Sequence, residues 1–212
     1  AEVAAKTGRL DLLKLAHEQG CRLSYNVVRI AAENGHLHCL KYAHENGCKL
    51  DACTKIDAAK GGHMDCLTYA HENGCEWDPW VCAFAGEKGH LDCLRYAHQN
   101  GCTWDSHTTI RAAATGHLDC LKYAHENGCI WDAQVCLLAA GSGHLHCLKY
   151  AYENGCPRPD PTHLMKDWYV SAVVRGVWWP NLREYVFSTR PIALFWQEAT
   201  QKLSLIHISE PT

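Results

Sequence analysis

The chain has 212 residues, is 47% hydrophobic and carries a formal net charge of -3, enough apolar material for the core of one or two domains. Its 20 Lys and Arg are interleaved with 23 Asp and Glu, which removes the electrostatic reason to expect a nucleic-acid partner. The longest apolar runs, such as Ile192–Trp196, fall far short of the roughly 20 residues of a spanning helix; the amino end lacks the charged, apolar and small-residue order of a signal peptide, so no membrane partner is expected.

The chain opens without methionine on AEVAAKTGRLDLLKLAHEQGC, part-way into a unit that then recurs, and reads as a fragment. Gly8, Gly35, Gly62, Gly89, Gly116 and Gly143 begin near copies of one phrase, GHLDCLKYAHENGC in the fifth, at a constant spacing of 27 residues. A fixed period of this size is the mark of a repeat architecture in which every unit occupies an equivalent slot.

One unit, DPWVCAFAGEKGHLDCLRYAHQNGC, runs from Asp78 to Cys102. Asp78 is placed to cap the amides that follow, and Pro79 suits the first helical position because its missing N–H would be unpaired there. Ser24, Asp51, Asp105 and Asp132 hold the same cap slot. A first helix is predicted to about Lys88, ended by a left-handed Gly89, and a second from about Leu91 to Gln99, closed by Asn100 and Gly101. In the copy at Gly35, Leu37, Cys39, Leu40, Tyr42 and Ala43 cover more than half of the second helix, with His38, Lys41 and Glu45 as a narrow polar wedge. So wide an apolar arc suits a helix touched by its own partner and by both neighbouring units. An all-α helical-hairpin solenoid is predicted.

The stretch AAATGHLDCLKYAHENGCIWD, Ala112 to Asp132, resembles the core of the ankyrin-repeat family in its small pair Ala112–Ala113, its turn Gly116–His117, its apolar second helix and its terminating Asn127–Gly128. The resemblance covers roughly residues 4–156 and implies an ankyrin-like stack that binds proteins on a concave face lined by the first helices. An ankyrin unit has about 33 residues; this one has 27 and lacks the threonine-proline opening, so the hairpin fingers are expected to be reduced to tight loops.

Of the 14 cysteines, 11 follow the period: Cys39, Cys66, Cys93, Cys120 and Cys147 in the second helix, and Cys21, Cys48, Cys75, Cys102, Cys129 and Cys156 just past it. The remaining three, Cys53, Cys82 and Cys136, sit in the first helix. Equivalent positions in helices packed about 8–10 Å apart are too distant for a disulfide, as are Cys66 and Cys75. A pairing of non-equivalent positions stays open. Thiols are expected, and with them an intracellular location, cytoplasmic or nuclear. The set His63, Cys66, His71 and Cys75 converges poorly for zinc, and catalytic cysteine–histidine pairs do not come in several identical copies. Neither metal nor cofactor is expected. The cysteines read as small buried residues and the turn histidines as backbone partners; Trp77, Trp104 and Trp131 read as packing under the loops.

Three first-helix columns differ from copy to copy: Asn26/Cys53/Trp80/His107/Gln134, Ile30/Asp57/Phe84/Arg111/Leu138 and Glu33/Lys60/Glu87/Ala114/Gly141. Offsets of four and three residues put them on one face. Asp57, Lys60, Trp80, Phe84, Glu87, His107, Arg111, Gln134 and Leu138 are the candidate partner-binding residues, with Trp80, Phe84 and Leu138 as anchors.

Residues 1–156 are thus assigned to a stack of six copies, the first partial. Residues 157–202 open on PRPDP and carry an amphipathic pattern at Ile192, Phe195, Trp196 and Ala199; they are read as degenerate capping helices, with docking of a second partner as the alternative. LSLIHISEPT, Leu203–Thr212, resembles translated sequencing-adapter read-through and is given no role. The expected function is a monomeric, non-catalytic protein-interaction scaffold. The alternatives are a metal- or redox-responsive Cys/His-rich repeat protein and a regulatory fragment of a larger enzyme.

Overall fold

The computed structural model describes residues 1–157; the segment assigned to capping helices, from residue 158, and the adapter-like residues 203–212 lie outside the described residues. Six helical hairpins follow one another: α1 (Glu2–Lys6) with α2 (Leu10–Glu18), α3 (Tyr25–Glu33) with α4 (Leu37–Glu45), α5 (Ala52–Gly61) with α6 (Met64–Glu72), α7 (Pro79–Lys88) with α8 (Leu91–Gln99), α9 (Ser106–Thr115) with α10 (Leu118–Glu126), and α11 (Ala133–Gly141) with α12 (Leu145–Glu153). No strand occurs among the described residues. Each helix is too short to be stable alone in water, so the hairpins hold one another.

Local chemistry sets the boundaries. Asp78, Asp105 and Asp132 each accept a hydrogen bond from the backbone N–H two residues on, and Asp51 forms a reciprocal box with Thr54. Ser24 departs from the expected pattern: it occupies the cap position without a side-chain cap bond, and its Oγ donates to the Glu2 carboxylate at 3.3 Å. Gly62, Gly89 and Gly116 end their helices in the left-handed conformation, which a side chain would disfavour by about 1–2 kcal/mol.

The core is a column of small and branched residues. Ala31, Ala58, Ala85, Ala112 and Ala139 are fully buried in the first helices, and Leu13, Leu40, Leu67, Leu94, Leu121 and Leu148 are buried in the second. Alanine at the closest approach lets α1, α3, α5, α7, α9 and α11 pack side by side as one tight row, while the second helices make looser layer-to-layer contacts.

Candidate functional site

The repeated cysteines and histidines hold the stack together. In the second helices Cys39, Cys66, Cys93, Cys120 and Cys147 are buried, and burial pushes the thiols of Cys66, Cys93, Cys120 and Cys147 up to about 12, far from the thiolate a nucleophile needs. The cysteines past the turn act differently. Cys48, Cys102, Cys129 and Cys156 donate their thiols to backbone carbonyls at the start of their own hairpin, 3.1–3.4 Å away at Leu23, Asp78, Asp105 and Asp132. Two cysteines depart from the buried expectation, since Cys21 is exposed and Cys53 half-buried. No three or more His, Cys, Asp or Glu side chains gather as a metal site among the described residues.

Two sets of histidines mark the layers. The ring of His90 lies directly against Gly62 of the preceding hairpin, so close that a Cβ there would stand 2.5 Å from Nδ1; Gly8, Gly35, Gly89 and Gly116 meet His36, His63, His117 and His144 in the same way. His36 also donates from Nε2 to the Lys6 carbonyl at 3.1 Å, satisfying a helix-end oxygen that the preceding layer leaves unpaired. The second set pairs His17, His44, His98 and His125 with the hydroxyls of Tyr42, Tyr69, Tyr123 and Tyr150 in the next layer, at 2.8–3.0 Å. Trp104 and Trp131 stack on His98 and His125 with ring centroids 3.7 Å apart, which accounts for the tryptophan column.

One hairpin breaks this pattern. His71 Nδ1 accepts from Lys55 Nζ at 3.2 Å in place of a tyrosine hydroxyl, and the same ammonium sits 3.4 Å from the centroid of Trp77. Lys55 is fully buried, and burial lowers its pKa. Its column reads Val28, Lys55, Cys82, Thr109, Cys136. A lone lysine among small residues was the only signal of it in the sequence.

On the first-helix face, five of the nine candidates form one cluster across two layers. The Arg111 guanidinium lies 4.8 Å from the Trp80 ring and 5.1 Å from the Phe84 ring. Trp80 in turn touches Phe84 and His107, with centroids 5.6 and 5.3 Å apart. Arg111 donates to the Glu87 carboxylate, which Lys88 also approaches at 3.0 Å. Burial raises the Glu87 carboxyl, but Lys88 and Arg111 together hold it below its ordinary value. A guanidinium over two rings contributes about 0.5–1 kcal/mol per contact when partly exposed, and the cluster is thereby fixed before any partner arrives.

The other four candidates stand apart from that cluster. Lys60 bonds Glu33 of the preceding layer at 2.7 Å, and this bond raises its pKa. Asp57, taken from the sequence as an accessible contact, is only 6% exposed; Arg29 of the preceding layer reaches over it and donates at 2.6 Å. Gln134 is exposed, and so is Leu138, at 38%. Sequence reasoning missed Arg29 and Lys88, because the charges they answer belong to other columns or layers.

Among solved structures the chain is similar to the human ASB11 ankyrin repeat domain, with a TM-score of 0.62 and 18% identity over 80% of this chain and 96% of that domain. The fold is that of an ankyrin repeat stack. No family model matches the chain, and no curated protein matches it significantly. The ankyrin likeness therefore rests on the arrangement of hairpins. It survives a unit of 27 residues because the connection from each second helix to the next first helix is a short segment without regular secondary structure, as at 75–78. No helix among the described residues is long and apolar enough to cross a membrane.

Proposed function

We propose that this ankyrin-like stack is a non-catalytic protein-interaction module whose partner lies along the row of first helices. The observation that carries this reading is the Trp80–Phe84–Glu87–His107–Arg111 cluster: a partly exposed aromatic pair held rigid by a guanidinium, on the face where the repeats differ. Trp80 is 39% exposed, and rigid aromatic and Arg groups are the side chains most enriched among energetically dominant interface contacts. The tighter packing of the first helices favours placing that row on the inner side of the stack. Leu138 and Gln134 would extend the contact towards α11, while Asp57 and Lys60, already engaged with Arg29 and Glu33, act by shaping the surface. The likeness to a solved ankyrin repeat domain supports an interaction scaffold by analogy of fold.

Affinity capture with the intact chain tests the proposal, repeated with Trp80→Ala and Arg111→Glu. Both variants should keep the helical circular-dichroism spectrum, because neither residue is part of the buried core, and both should lose the captured partner by at least tenfold. Undiminished capture by both would remove the first-helix face from consideration.

A further inference from the structure

In the hairpins that end on Cys48, Cys102, Cys129 and Cys156, the cysteine past the second helix folds back to the start of its own hairpin. Sγ of Cys102 lies 3.4 Å from the Asp78 carbonyl, and Sγ of Cys156 lies 3.2 Å from the Asp132 carbonyl. These carbonyls stand one helical turn before residues 82 and 136, so each thiol is brought to the side chain 20 positions earlier in the chain. The residues 20 positions before Cys48, Cys75, Cys102, Cys129 and Cys156 are Val28, Lys55, Cys82, Thr109 and Cys136. Two hairpins therefore set thiol against thiol, with the side chains within hydrogen-bonding reach of each other. All four cysteines are buried: Cys82 is 0% exposed, Cys102 3%, Cys136 6% and Cys156 6%.

We infer that Cys82 with Cys102, and Cys136 with Cys156, are two dithiol sites that hydrogen peroxide converts to disulfides, each fastening a hairpin to itself. In the first step a thiolate attacks one peroxide oxygen, forming an S–O bond as the O–O bond breaks; hydroxide leaves and a sulfenic acid remains. The second thiol, giving up its proton, then attacks that sulfur; the S–S bond forms and the sulfenic oxygen departs as water. Two thiols and one hydrogen peroxide thus become one disulfide and two waters. Within the first pair Cys102 is the attacking group. It is the more exposed, and the hydrogen bond from Cys82 holds its thiol below the ordinary value against the opposing effect of burial. The small size of hydrogen peroxide suits sulfurs with so little surface. Elsewhere in the stack the chemistry stops: Thr109 gives Cys129 no second sulfur, Lys55 takes the place opposite Cys75, and Val28 that opposite Cys48.

The test treats the reduced 212-residue chain with hydrogen peroxide under native conditions, blocks remaining thiols with an alkylating reagent, and maps crosslinked peptides by mass spectrometry. Loss of four of the 14 thiols, recovered as Cys82–Cys102 and Cys136–Cys156 peptides, is expected, together with a rise of several degrees in Tm from closing two short loops. Dithiothreitol should reverse both. A Thr109→Cys variant supplies the missing sulfur opposite Cys129 and should gain a third crosslink there; should it fail to fold, Val28→Cys opposite Cys48 asks the same question. The inference is overturned if a chain that keeps its helical spectrum forms no crosslink, crosslinks other cysteines in comparable yield, or gains no link from either added sulfur.

Discussion

The turns and second helices of this stack differ from its first helices in how they use repetition. At the Gly–His turn all five described seams set a histidine against a left-handed glycine, and along the second helices four of them add a tyrosine hydroxyl on a histidine, two of these histidines also carrying a stacked tryptophan. On the first-helix face no two neighbouring layers present the same group, and neighbours there answer one another by charge and by ring contact. The difference separates two tasks. Identical contacts keep the register of the layers, while unlike ones give the surface an address.

The contrast breaks most visibly at the glycines. Gly62 has φ of +76° and faces the His90 ring, whereas Gly74 has φ of +79° and nothing within 4 Å. Gly62→Ala should cost about 3 kcal/mol, combining the left-handed penalty with a displaced ring, and Gly74→Ala about 1 kcal/mol. Urea unfolding of the two variants checks this; equal losses would mean that the histidine does not set the layer spacing.

A smaller effect sharpens the role of the tyrosines. Tyr69→Phe removes the hydroxyl 2.8 Å from His44 and should cost about 1 kcal/mol. Tyr96→Phe should be nearly neutral in the same assay, since His71 turns to Lys55 instead. A matching loss in both would contradict the assignment of Lys55 as the substitute donor.

The gentlest probe is pH. Burial lowers the pKa of His90, with His63 and His117 adding to the effect, and burial lowers that of His144, with His146 and His117 adding to it; the carbonyls of Lys60 and Ala114 oppose in part. The folded stack therefore binds protons less readily than the unfolded chain. Stability from these sites is complete above the ordinary histidine value of 6.5 and falls as pH drops through it towards the lowered values. Urea midpoints measured at pH 8 and at pH 5.5 should differ in that direction, and His90→Gln should reduce the difference.

Much of this was legible in the sequence because one slot, once understood, describes its five counterparts. The spacing of the glycines set out the hairpin, and an aspartate marked the start of α5, α7, α9 and α11. Ser24 misled because its hydroxyl bonds Glu2 in the layer before and makes no cap bond to its own helix. Asp57 misled for a related reason: its column faces outward, but Arg29 of the previous layer covers it. Pairing of Cys82 with Cys102 depends on a thiol folding back across a whole hairpin, a distance that helix periodicity along one helix does not encode. Lys55 shows the limit most plainly, since a charged residue in a helix ordinarily signals solvent, and only the aromatic face of Trp77 and the ring nitrogen of His71 make its burial tolerable.

The seating of each imidazole in the glycine notch of the layer beneath has a consequence for how such a chain grows. Since the same glycine–histidine contact recurs at all five described seams, a cassette of 27 residues can be duplicated or excised and the cut faces still meet through it. Array length is then adjustable by recombination between copies, without a new interface having to be invented.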